Sequence, residues 1–143
     1  MSAYDQDLAA WAAEQAQLLR SGQLAQLDTE HIAQELESVA RSERRALATC
    51  MSALLALLLA GQYQPERRTA VWHATIRAER REIRQLLEES PSLAANLSAA
   101  RWRDMVWSSA FAEVVTETGL DALPVTCPWS LAEEVLADGW LPT

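Results

Sequence analysis

Through most of the chain, apolar residues recur at intervals of three and four, the spacing that lines one face of a helix. Leu8, Trp11, Leu18 and Leu19, with Gln15 among them, predict a first helix over residues 5–20, closed by Gly22. Ile32, Leu36, Val39, Ala46, Cys50, Leu54, Leu57 and Leu58 form the inner stripe of a second helix. Asp28 is suited to cap it and Glu30 to its first turn. From Leu54 to Leu59 it is apolar all round, which predicts burial on several sides. Pro65 is expected to open a third helix with Trp72, Ile76, Ile83, Leu86 and Leu87 facing inward. Ser90-Pro91 marks the start of a fourth, running to Thr118 and ending at Gly119. Its stripe is Leu93, Leu97, Ala100, Trp107, Phe111, Val114 and Val115. Pro124, Cys127 and Pro128 then impose an extended segment, and Ser130 with Glu133 reads as the capping box of a short last helix. No strand pattern or internal repeat interrupts this reading. The expected fold is all-α, an antiparallel bundle of four main helices with an extended Pro-rich C-terminal segment and a short last helix, in a single domain over residues 1–143.

Composition agrees with helix: half the residues are hydrophobic and only four are glycine. Charge changes the picture more. The net charge is −8, which argues against nucleic acid as a partner. It is unevenly spread: residues 1–37 carry seven acids and one base, residues 38–84 four acids and nine bases, and residues 85–143 nine acids and two bases. Complementarity between these segments is the simplest consequence. All twelve basic residues are arginine, and the absence of lysine excludes Schiff-base chemistry and a P-loop. Cys50 and Cys127 fit no metal-ligand spacing or disulfide framework. The acidic start MSAYDQDLAAW has no signal-peptide pattern, and the run Cys50–Ala60 is about half the ~20 residues of a membrane span. These features point to a cytoplasmic protein with no membrane partner.

Candidate chemistry is sparse. Glu43, Glu79 and Asp104 fall within apolar stripes, between Val39 and Ala46, Ile76 and Ile83, and Ala100 and Trp107. A buried carboxylate must be paired or protonated. Three converging ones would suit a hard cation, but the expected turns spread them over roughly 10 Å of height. His31 and His73 lack the Glu-x-x-His spacing of di-iron bundles. No nucleophile elbow or phosphate loop is present, and no cofactor is expected. His73, Arg77, Arg80, Arg81 and Arg84 form a basic stripe beside the third helix's apolar one. Such a row suits carboxylates or phosphates, or pairing with acidic neighbours. Gln64 and Arg68, in the phrase GQYQPERR, join Glu43, Glu79, Asp104, Arg77, Arg80 and Arg84 as a candidate polar cluster. Six tryptophans are many for this length. Trp11, Trp72 and Trp107 lie on inner stripes, whereas Trp102 lies opposite its own and is expected at an interface or under the C-terminal segment.

The phrases YDQDLAAW, LD, QELESVARSERRAL, YQPERR…W…TIR, SPSL, ETGL and CPWS…L occur in this order from Tyr4 to Pro142. In this the chain resembles the bacterial family of uncharacterised proteins catalogued as domain of unknown function 29. The resemblance implies a small all-helical protein without an agreed activity, cofactor or substrate. Asp7, Trp11, Glu35, Glu43, Arg44, Gln64, Pro65, Trp72, Ile76, Arg80, Pro91, Glu117, Gly119, Cys127 and Pro128 fall on positions typical of the family. Leu57 to Gly61 stand where the family has a His-Leu-Leu-Lys-Trp type of phrase, and Glu79 where it implies glutamine. The expected function is a non-enzymatic helical module that binds a protein partner or forms a homo-oligomer. The alternative is a small enzyme or ligand-binding protein with a carboxylate–arginine pocket.

Overall fold

A computed structural model describes residues 2–143. The fold is all-α: 77% of it is helical and no strand occurs among the described residues. In order, the α-helices are α1 (Ala3–Gln6), α2 (Leu8–Arg20), α3 (Thr29–Tyr63), α4 (Ala70–Glu89) and α5 (Ala100–Thr118). The chain divides into two compact units, 1–42 and 43–143, and α3 contributes to both.

In the first unit the expected helix over 5–20 is two helices. Asp7 leaves helical geometry, with φ −152° and ψ 92°. Its carboxylate accepts from the Ala10 N–H at 3.0 Å, so Asp7 ends α1 and caps α2. An aspartate offers the backbone this alternative to a continuous helix. Gly22 closes the turn after α2 at φ +74°, a conformation that a side chain would strain. Trp11 and Gln15 are buried. Leu36 and Val39, expected on the inner stripe of α3, are instead 66% and 61% exposed.

The core belongs to the second unit. From α3 it takes Leu47, Met51, Leu54, Leu55, Leu58 and Leu59, all fully buried. Trp72, Ile76 and Ile83 come from α4, and Val106, Trp107, Ala110 and Val114 from α5. As one 35-residue helix, α3 has the length and composition of a membrane span, and half of its apolar window is buried within the protein. At its end, Gly61 faces the Trp72 indole. A Cβ at Gly61 would lie 2.8 Å from Trp72 Cε2 and closer still to Cζ2. Glycine is therefore required by close approach, and the same indole donates from Nε1 to the Leu57 carbonyl at 2.8 Å.

Both proline-marked starts differ from expectation. Pro65–Arg67 forms a 3-10 turn, and α4 begins only after Thr69, whose hydroxyl accepts from the Trp72 N–H at 3.2 Å. Pro91–Ser98 is likewise 3-10 and separated from α5 by an extended Ala99, so the fourth helix is shorter than expected. Proline fixes φ at a value common to both helix types and does not choose between them. Gly119 does end α5, left-handed at φ +72°.

The C-terminal segment enters the core through Leu123, Trp129, Leu131 and Val135. Trp129 meets Trp107 and Trp140 edge-on, at centroid separations of 5.4 and 5.5 Å. Trp102 is half-buried against the core. The short last helix, Leu131–Val135, is a single π turn. Ser130 accepts from the Glu133 N–H as a capping box requires, but Glu134, not Glu133, reaches back to the Ser130 N–H, at 2.9 Å. The wider turn moves the reciprocal carboxylate one position along.

Candidate functional site

The polar residues of α4 are organised by the C-terminal segment. Arg80 has only 2% of its surface exposed. Its Nε donates to the Val135 carbonyl at 2.9 Å and its Nη2 to the Trp140 carbonyl. No carboxylate lies within ion-pair distance of it among the described residues. Burial pulls the guanidinium below its ordinary value, and nearby Arg84 acts in the same direction; Asp138 opposes both. Arg84 itself pairs with Asp138.

Arg68 repeats the arrangement one end further along. Its Nε donates to the Gly61 carbonyl at 2.9 Å and its Nη2 to the Pro142 carbonyl at 2.8 Å. The guanidinium carbon stands 5.4 Å from the Trp72 ring centroid, within cation–π range. Gln62 adds a bond from Nε2 to the Thr143 carbonyl at 3.2 Å. Three arginines of the expected cluster therefore fasten residues 135–142, two through backbone carbonyls and one through an aspartate. Gln64 is spent locally, accepting from Arg67 Nε. Arg77 is exposed and lines a cavity of about 180 Å³ with His73, Ile76, Arg80, Gly139 and Leu141.

The three carboxylates are not gathered. Glu43 is half-buried and accepts from the Ser90 hydroxyl at 3.2 Å. Ser90, read as a helix cap, makes no side-chain cap bond. Glu79 is half-buried in a groove of about 420 Å³ that also carries Glu113, Glu117 and Trp72. Burial and the neighbouring Glu82 push its carboxyl up, against a lowering by the Cys50 thiol. Burial, with Glu79 and Glu82, also raises Cys50. Asp104, expected within an apolar stripe, is exposed: α5 buries Val106, Trp107, Ala110 and Val114, and Ala100, one turn before Asp104, is exposed too. No group of three or more His, Cys, Asp or Glu side chains fit to hold a metal occurs among the described residues.

The first unit holds a polar network that the sequence did not announce. Asp28 Oδ2 accepts from Trp11 Nε1 at 3.0 Å and meets His31 Nδ1 at 2.7 Å. Its backbone N–H donates to Gln15 Oε1 at 2.8 Å. The Tyr4 ring stacks on His31 at 4.1 Å, and its hydroxyl donates to Glu35. His31 and the Trp11 indole hold the Asp28 carboxyl below its usual range. His31 pairs with Asp28, three positions before it, and Glu35 answers Tyr4. The signal was the opening phrase YDQDLAAW, whose tyrosine and tryptophan both enter the network.

Comparison with known proteins adds a family. The family model described as "Domain of unknown function DUF29" matches residues 3–141, and the chain belongs to that family. No curated protein and no solved structure matches it.

Proposed function

We propose that this DUF29 chain is a non-enzymatic helical interaction module that pairs with a second copy of itself through the first part of α3. The observation that supports this is the exposure of Leu36 and Val39, three positions apart on one helix face. Large apolar side chains adjacent on a surface commonly mark a contact. Among the described residues, five of the nine large exposed apolar ones, Leu8, Leu19, Leu24, Leu36 and Val39, belong to the first unit.

Charge along the helix favours a copy of the same chain. Glu30 and Glu37 precede or flank the ridge and Arg41 follows it, all exposed; Arg44 and Arg45 continue the basic run in sequence. A two-fold pairing of antiparallel helices, centred between Leu36 and Val39, sets each Leu36 against the partner's Val39. It also brings each Arg41 toward the opposite acidic turns. Such self-complementarity is what a closed two-fold contact demands, with opposite charges fixing the register.

Light scattering on the wild-type chain is expected to give twice the chain mass, reduced by salt, and Leu36→Glu with Val39→Glu is expected to give a monomer that remains helical. A wild-type chain that stays monomeric at its highest soluble concentration removes this reading. The cavity beside Arg80 favours a second, compatible role in ligand binding.

A further inference from the structure

We propose that the cavity bounded by His73, Ile76, Arg77, Arg80, Gly139 and Leu141 binds a small organic anion, a carboxylate with a short apolar body. Arginine remains charged in proteins, and a buried charge without a counterion is costly. Arg80 is nearly inaccessible, and its two carbonyl partners occupy Nε and Nη2. Nη1 has no protein acceptor among the described residues, and Arg80 forms part of the cavity wall. Asp138, the acid whose charge favours the Arg80 cation, is itself engaged by Arg84. An anion in the cavity would take the donor that the protein leaves free and add a second counter-charge to that of Asp138. Arg77, exposed on the same wall, offers a second guanidinium.

The walls also set the kind of anion. Ile76 is buried and Leu141 half-buried, so part of the lining is aliphatic. At about 180 Å³ the space is several times the roughly 30 Å³ share of one water. A bare inorganic ion leaves the aliphatic wall without a partner, whereas a short-chain carboxylate uses both the charged and the apolar sides. The site lies in the second unit and is independent of pairing through Leu36.

The test is an NMR titration of the full chain with butyrate, butyramide and inorganic phosphate. Butyrate is expected to shift the Ile76, Gly139 and Leu141 amides saturably, and butyramide is expected to leave them unmoved. Phosphate is expected to bind more weakly than butyrate. Arg77→Ala, at an exposed position that leaves the fold intact, is expected to raise the butyrate Kd about tenfold. Absence of saturable shifts with butyrate, equal shifts with butyramide, tighter binding of phosphate, or an unchanged Kd in Arg77→Ala each overturns the proposal.

Discussion

Arg80 Nε donates to the carbonyl oxygen of Val135 over 2.9 Å and across 55 positions of sequence. With its second bond to Trp140, this one side chain joins the middle of α4 to the end of the chain. Arg80→Met keeps much of the volume but leaves two carbonyls without donors. At about 1–3 kcal/mol for each buried unsatisfied group, a loss of roughly 2–4 kcal/mol in urea denaturation is expected. The tryptophans at 129 and 140 are expected to become more exposed to quencher in the folded variant. A variant as stable as the parent would show that the clamp carries no weight.

Gly61→Ala sets two effects against each other. In a helix, alanine is favoured over glycine by about 1 kcal/mol. Here the new methyl meets the Trp72 indole, itself hydrogen-bonded to the Leu57 carbonyl. Overpacking of about 1–3 kcal/mol is expected to win, giving a net loss with a changed indole N–H resonance for Trp72. Stabilisation would mean that the indole swings aside freely.

Glu79 gives a pH-dependent prediction. Its folded pKa lies above the ordinary value of 4.5, so the fold disfavours the ionised form. The neutral carboxyl's relative stability is fully present at low pH and is lost as pH rises through the folded pKa. Glu79→Gln is therefore expected to raise Tm near pH 7.5, by an amount that shrinks as pH falls toward about 4. A variant less stable than the parent at both pH values contradicts this, and would place a required partner at the carboxylate.

Local signals were legible where short-range geometry decides the outcome. Gly22 and Gly119 end helices because only a residue without Cβ turns left-handed at no cost. The all-round apolar run near Leu54–Leu59 is buried except at Leu57, which is half-buried, for the reason its composition implied. Leu36 and Val39 share the helical spacing of buried residues, and spacing alone does not distinguish a face covered by the same chain from one left open.

The role of Arg80 was hidden for a different reason. On a helical projection it belongs to a charged stripe; it is buried because the C-terminal segment lies over it. The groups that receive it are backbone carbonyls, which every residue possesses and no sequence advertises. Arg68 was flagged through its phrase, yet its partners Gly61 and Pro142 were equally invisible. Glu43, Glu79 and Asp104 were correctly placed on separate helices, but stripes carry no information about azimuthal meeting, and the three find separate surroundings.

The clamp at Arg80 has a consequence for biosynthesis. Chains are made from the N-terminus at about 5–20 residues per second, and compact units fold when complete. The helix bearing Arg80 is made well before Val135 and Trp140, so its guanidinium must stay hydrated until those carbonyls arrive. The bonds from Arg80 to Val135 and Trp140 form only after translation passes Trp140. Until then the cover of Leu54–Leu59 comes from α4 and α5 alone, and the last residues of the chain seal a core that the earlier helices have begun.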